Sequence, residues 1–196
     1  MRFSYSSPTT PSQVFDYNME NRERVLRKTQ VVPSGHSPSD YKTERLMVPA
    51  RDGENIPVTL IMGRDTAKDG SAPLLLYGYG SYGAAMPASF SASRLSLVNR
   101  GFIYAIAHVR GGEEKGRAWY EAAKFAGKQR TFDDFIAAGE YLAREHYTAR
   151  GKIVIEGGSA GGLLIGAALN QSADLWGGAI ADVPFVDMLN TILDET

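Results

Sequence analysis

The 196-residue chain contains no cysteine. Disulfides, zinc–thiolate centres and a thiol nucleophile are therefore excluded. It also lacks an excess of either charge. Lys and Arg number 21 against 22 Asp and Glu, a formal net charge of -1, so nothing electrostatic points to nucleic acid or an anionic membrane. Arg22, Arg24, Arg27 and Lys28 cluster, but Glu20 and Glu23 interrupt them, and the segment reads as solvated surface. No apolar run approaches the roughly 20 residues of a membrane span. No charged segment followed by an apolar run opens the chain. The expectation is a soluble, cytoplasmic protein. Histidine is scarce too: there are three, His36, His108 and His146.

What is present is ordinary globular material, 43% hydrophobic and 22% charged, in a chain long enough to bury a core. The first forty residues differ from the rest. Arg2-Phe3-Ser4-Tyr5-Ser6 alternates like a short strand, Ser7-Pro8-Thr9-Thr10-Pro11 breaks it, and Gln13 to Tyr17 offers a second strand. Val32 to Pro38 reads as a linker containing His36. No self-contained core is evident there.

From Tyr41 the pattern changes. Thr43 to Val48 and Ile56 to Met62 flank Asp52-Gly53, a hairpin signal. Pro73 to Tyr77 and Phe102 to Val109 are short apolar runs of the buried parallel type. Phe90 to Val98 is predicted helical, with Gly101 after its end. Thr131 to Tyr147 is predicted as a helix, capped by Thr131 with Asp134, with Phe132, Phe135, Ile136, Gly139 and Leu142 on one face. Ile153 to Glu156, Ala160 to Asn170 and Gly178 to Val183 continue as strand, helix and strand. This alternation predicts an α/β fold: a parallel sheet with helices on both faces.

Three motifs carry chemistry. Gly157-Gly158-Ser159-Ala160-Gly161 is G-x-S-x-G, preceded by a strand and followed by a helix. That context marks the nucleophile elbow of an α/β-hydrolase, with Ser159 as nucleophile and the Ala160 N–H as an oxyanion donor. A glycine-rich turn with an incidental serine is the bland alternative. Tyr77-Gly78-Tyr79-Gly80-Ser81-Tyr82-Gly83 contains a literal G-x-G-x-x-G. A dinucleotide site fits poorly, because Pro87 follows, at least two strands precede it, and the next strand ends at His108-Val109-Arg110 without an acidic residue. The rival reading is the hydrolase loop that supplies the second oxyanion donor, here the Tyr79 phenol. The third motif runs from His108 to Gly116. His108 reads as structural, because the base of this fold follows the serine in the chain. His146 reads as a residue of a helix C-terminal turn. Asp133 and Asp134 read as helix-start residues, and Asp182 as a structural strand end.

Taken together, Tyr77 to Gly83, Arg110-Gly111-Gly112, Phe132-Asp133-Asp134-Phe135, Gly157 to Gly162 and Val183-Pro184-Phe185-Val186-Asp187 resemble the prolyl oligopeptidase family of serine peptidases, and within it the oligopeptidase B branch. The resemblance covers nearly the whole chain. It implies a β-propeller over an α/β-hydrolase domain, with short peptides cut after Lys or Arg. Residues 1–40 would be the end of the propeller and its linker, and residues 41–196 the N-terminal part of a hydrolase domain incomplete at its C-terminus. Ser159 would be the nucleophile, Tyr79 and Ala160 the oxyanion donors, and Tyr82 a wall of the substrate site. No cofactor or metal is implied.

The family's catalytic Asp and His, and the acidic residues that select a basic side chain, match nothing up to Thr196. The chain alone is therefore expected to be inactive and to self-associate through exposed apolar surface. Some members carry two aspartates where Pro87 and Ser89 stand, so a dibasic preference is not implied. Glu113 stands where a third glycine is usual. A different α/β-hydrolase, such as an esterase or acylaminoacyl peptidase, and a non-catalytic fragment remain as alternatives.

Overall fold

The computed structural model describes residues 1–194. Nine strands form two sheets among these residues. β1 (Arg2–Ser7), β2 (Thr10–Tyr17) and β3 (Arg24–Thr29) make a small antiparallel meander. Its apolar content is slight. Phe15 is buried and stacks on Phe3 at 5.5 Å, with the Arg24 guanidinium 4.8 Å above its ring. Asp16 accepts from Arg2 and Arg27 across the strands. Every residue of β3 is exposed. The solvated reading of Arg22 to Lys28 thus holds, but the segment is also a strand, which its basic residues conceal. His36 links this sheet to the rest: its Nε2 lies 2.7 Å from the Thr9 carbonyl, and its ring packs on Tyr41 and Phe90.

The larger sheet has the order β4-β5-β7-β6-β8-β9. β4 (Tyr41–Pro49) and β5 (Asn55–Gly63) form an antiparallel hairpin in register from Tyr41↔Gly63 to Pro49↔Asn55. β5 pairs antiparallel with β7 (Ile103–Ala107). From there β7, β6 (Leu74–Tyr77), β8 (Ile153–Gly158) and β9 (Trp176–Asp182) run parallel. Alternate residues of β6 supply both faces. Leu74 and Leu76 join the larger core with Phe135, Leu142, Ile153, Ile155 and Leu164, while Leu75 joins Leu95, Val98, Tyr104 and Ile106 on the other face.

The helices divide in the same way. α1 (Ala92–Val98) begins at Ser91, whose side chain accepts from the Arg94 N–H, and it buries Leu95 and Val98. Gly101 follows with its N–H bonded to the Val98 carbonyl. A short helix, α2 (Arg117–Glu121), buries Trp119. α3 (Gln129–Arg144) and α4 (Ala160–Gln171) cover the opposite face. Gly139 lets α3 close on Trp176: a Cβ there would lie 2.6 Å from the indole ring. Trp176 Nε1 donates to the Ala168 carbonyl at 3.0 Å, fastening β9 to α4. Full burial of side chains such as Phe135 and Leu142 stabilises by about 1.5–3 kcal/mol each. A final helix, α5 (Met188–Leu193), follows β9 and buries no residue.

The capping box predicted from Thr131 and Asp134 is not what these residues form. α3 begins two residues earlier, at Gln129, with Lys128 at its cap position. Thr131 lies inside the helix and donates to the Arg110 carbonyl at 2.8 Å. Asp134 is fully buried and accepts from Arg110. A distant arginine has taken the groups that a cap would use. Asp133 instead accepts from Gln129 within the helix.

Candidate active site

β8 ends at Gly158 and α4 begins at Ala160, so Ser159 alone makes the turn between them. Its backbone stands at φ 54°, ψ -118°. A non-glycine residue held there carries about 1–3 kcal/mol of strain. Three backbone hydrogen bonds hold it: Ser159 N–H to Asp182 O, Gly162 N–H to Ser159 O, and Phe185 N–H to Ser159 O, each 2.9 Å. Space explains the glycines. A Cβ at Gly157 would sit 2.6 Å from the Gly161 carbonyl oxygen, and one at Gly161 would sit 2.9 Å from the Gly78 oxygen. Gly158, the variable position of the motif, has its nearest neighbour at 3.5 Å. Ser159 is exposed, and its side chain makes no capping bond. The first turn of α4, with the positive end of its dipole, adjoins it.

The tyrosine–glycine loop leaves β6 beside this turn. The Gly78 N–H donates to the Glu156 carbonyl at 3.1 Å. The Tyr79 ring lies against the first turn of α4: a Cβ on Gly161 would be 3.3 Å from Tyr79 Cδ2. Its hydroxyl has no hydrogen-bond partner among the described residues. The fold therefore brings together Ser159, Ala160 and Tyr79, residues from two strand–helix connections 80 positions apart. Tyr82 sits farther along the loop at φ 59° and is 74% exposed. It borders an open apolar cavity of about 580 Å³ shared with Ala160, Leu163, Phe185, Met188 and Phe132. A second cavity, about 440 Å³, opens on the α1 face and includes Pro87, Ser89, Arg94, Tyr104 and Glu156. Burial pushes the Glu156 carboxyl up and the Tyr104 phenol up to about 12, with Arg94 opposing both.

The histidines lie elsewhere. His108 is buried, with Nε2 2.9 Å from Thr59 Oγ1 and Nδ1 3.4 Å from Glu114. His36 contacts Thr9, Tyr41 and Phe90. His146 is exposed just past α3 at φ 59°. None hydrogen-bonds Ser159 among the described residues. The Asp182 backbone carbonyl accepts from Ser159, while its side chain is exposed at the end of β9.

Sequence reasoning missed the framework behind the loop. Arg110 is 4% exposed. Its Nε and Nη2 donate to Asp134 at 2.9 and 2.5 Å, its Nη1 to Asp52 at 2.5 Å, and its backbone N–H to Asp134 at 3.0 Å. The two carboxylates hold the guanidinium firmly protonated. Burial pushes the Asp134 carboxyl up while the arginine bonds oppose it. The one available signal was the spacing of Lys128, Thr131 and Asp134, every third residue on one helical face.

The family model described as the prolyl oligopeptidase family matches residues 88–196. The chain belongs to the prolyl oligopeptidase family. It is 49% identical to "Dipeptidyl aminopeptidase BI" of Pseudoxanthomonas mexicana over all of this chain and 27% of that protein. It is 40% identical to "Protease 2" of Moraxella lacunata, over 98% of this chain and 28% of that one. The structure of oligopeptidase B from Leishmania major superposes with a TM-score of 0.90 at 45% identity, covering 98% of this chain and 27% of that one. The chain thus spans about a quarter of the length of the relatives it matches. No helix among the described residues is long and apolar enough to cross a membrane.

Proposed function

We propose that the chain is part of a cytoplasmic serine peptidase of the oligopeptidase B type, cutting short peptides after Lys or Arg. The observation that carries this is Ser159, held at positive φ on the carboxyl edge of a parallel sheet with the Tyr79 ring against the same helix turn. In this reading Ser159 Oγ attacks the scissile carbonyl and gives its proton to a histidine base. The tetrahedral oxyanion then takes hydrogen bonds from the Ala160 N–H and the Tyr79 hydroxyl. Collapse expels the amine and leaves an acyl-serine, which water hydrolyses. Tyr82 lines the side-chain subsite. Residues 1–40 are the end of a β-propeller with its linker, and residues 41–196 the N-terminal part of the hydrolase domain. Of that span, residues 195 and 196 lie outside the described residues. Because no histidine here reaches Ser159, the base and its orienting acid come from elsewhere in the protein, and the 196 residues alone are inactive. No cofactor enters the chemistry.

The 49% identity to a protein named dipeptidyl aminopeptidase favours a second reading of the cleavage site, in which dipeptides leave a free N-terminus. One experiment separates the readings. A fluorophosphonate is applied to the full natural protein, and chromogenic peptides ending in Arg or Lys are compared with and without a blocked N-terminus. The expected result is labelling of Ser159 and turnover of blocked substrates, with kcat falling by about 10³ or more in Ser159→Ala. Turnover of unblocked dipeptides alone favours the second reading. Absence of both labelling and turnover overturns the peptidase assignment, and turnover by the isolated 196 residues, lost in Ser159→Ala, overturns the incomplete-site part of it.

A further inference from the structure

Lys128 has a role that the catalytic reading does not use. Its ammonium donates to the Gly80 carbonyl at 2.6 Å and to Ser81 Oγ at 2.8 Å. It makes no ion pair among the described residues. The Phe132 ring lies 5.9 Å away, and burial pulls the ammonium down to about 8. A partly buried ammonium without a carboxylate is a costly way to satisfy one carbonyl. Its two acceptors are the residues directly after Tyr79.

The rest of the loop is fixed from the same helix. Thr131 donates to the Arg110 carbonyl and Asp134 grips Arg110 through its side chain and its N–H. That fixes Gly111, whose carbonyl accepts from the Gly83 N–H at 2.9 Å. Gly111 is so close that a Cβ on it would lie 2.0 Å from the Gly80 oxygen. Tyr79 is thus bracketed. Gly78 is pinned on one side by β8, and Gly80 on the other by Lys128 and the Arg110–Gly111 segment. Gly111 packs against the Gly80 carbonyl, and the Lys128 ammonium gives that carbonyl its side-chain hydrogen bond.

We propose that Lys128 is a positioning residue for the oxyanion donor: by holding the Gly80 carbonyl and the Ser81 hydroxyl it keeps the Tyr79 phenol aimed at the space above Ser159. This rests on the reading of Ser159 and Tyr79 given above. The lysine also borders the cavity that Tyr82 lines, but in this proposal its effect on the chemistry passes through the hydroxyl of Tyr79.

The test uses the full natural protein and the variants Lys128→Met, Lys128→Arg, Tyr79→Phe and the double Lys128→Met/Tyr79→Phe. Melting curves establish that each is folded. Amide exchange over residues 79–83 is expected to quicken by about tenfold or more in Lys128→Met. On a chromogenic peptide its kcat is expected to fall by about 10–100-fold with KM within about threefold, the signature of a lost transition-state contact. Lys128→Arg, which keeps a donor for the carbonyl, retains more activity than Lys128→Met. The double variant is expected to be within about twofold of Tyr79→Phe, since both changes act through one hydroxyl. Unchanged exchange and kcat in a folded Lys128→Met overturns the proposal, as does multiplication of the two losses in the double variant. If instead Tyr79→Phe keeps full kcat, the oxyanion reading of Tyr79 falls. The exchange rates then still decide whether Lys128 holds the loop.

Discussion

The candidate site has two walls of different construction. The wall that precedes Ser159 in the chain, residues 78–83 and 110–111, is fastened to α3 by Lys128, Thr131 and the fully buried Asp134. The wall that follows it, from Asp182 to Leu193, hangs mainly from backbone bonds: Ser159 N–H to Asp182 O and Phe185 N–H to Ser159 O. All its residues but Phe185 are exposed, Val183 by 76% and Leu189 by 71%. The first wall is rigid on its own resources. The second gains little from side-chain burial within these residues. Pre-organised donors aimed at a developing charge need the first kind of construction.

The largest expected effect breaks this asymmetry at its strongest point. Asp134→Ala leaves Arg110 buried beside a single, partly exposed partner, Asp52. Removing one member of a buried pair costs about 3–5 kcal/mol. Asp182→Ala, on the other wall, is expected to stay within about 0.5 kcal/mol, as surface changes usually do. Denaturant unfolding of the two variants checks the contrast. Similar losses would mean that the two walls are fastened alike.

A smaller effect sharpens the comparison at the turn itself. Gly157 faces the first wall, and a methyl group there meets backbone oxygens of Gly161 and Gly78 at 2.6 and 2.9 Å. Gly158 faces the second, with 3.5 Å of room to Asp182 O. Gly157→Ala is expected to destabilise by about 1–3 kcal/mol, the usual cost of overpacking, and to prevent fluorophosphonate labelling of Ser159. Gly158→Ala is expected to keep labelling. Thermal melts and labelling of the two variants in parallel provide the check, and equal tolerance would mean that the elbow relaxes more than its geometry implies.

The two walls also differ in how legible they are in the sequence. The strand, the glycines and the helix around Ser159 are neighbours in the chain, so the turn can be read from a dozen residues. The buried runs of β6 and β7 are legible for the same reason. Fastenings that span the chain are not. Asp134 three positions after Thr131 looks like a cap, and only its partner Arg110, 24 residues earlier, turns it inward. Lys128 carries no local signal of its role, which comes from the Gly80 loop, 48 residues earlier, laid across it. β3 is hidden because Arg24, Arg27 and Lys28 interrupt the alternation, and its pairing with β2 is what makes it a strand. The helix α2 around Trp119 carries no periodic signal in its five residues.

The smallest effect on folding, yet a visible one in solution, concerns the second wall. Ile180, Val183, Leu189 and Ile192 are each between 47% and 76% exposed. β9 is an edge strand whose outer N–H and C=O groups pair with no strand among the described residues. Apolar side chains beside an open edge favour association between chains. Replacing Val183, Leu189 and Ile192 together by serine removes little buried area, so the unfolding midpoint should move by less than about 0.5 kcal/mol equivalent. Light scattering of the isolated 196 residues should fall sharply in the same variant, because the exposed apolar groups driving association are gone. The opposite edge of the sheet serves as the control. Serine at Met47, 51% exposed on β4, should leave the scattering unchanged. If Met47→Ser suppresses association as strongly as the triple change, the sticky surface is not the second wall, and the contrast between the walls loses its consequence in solution.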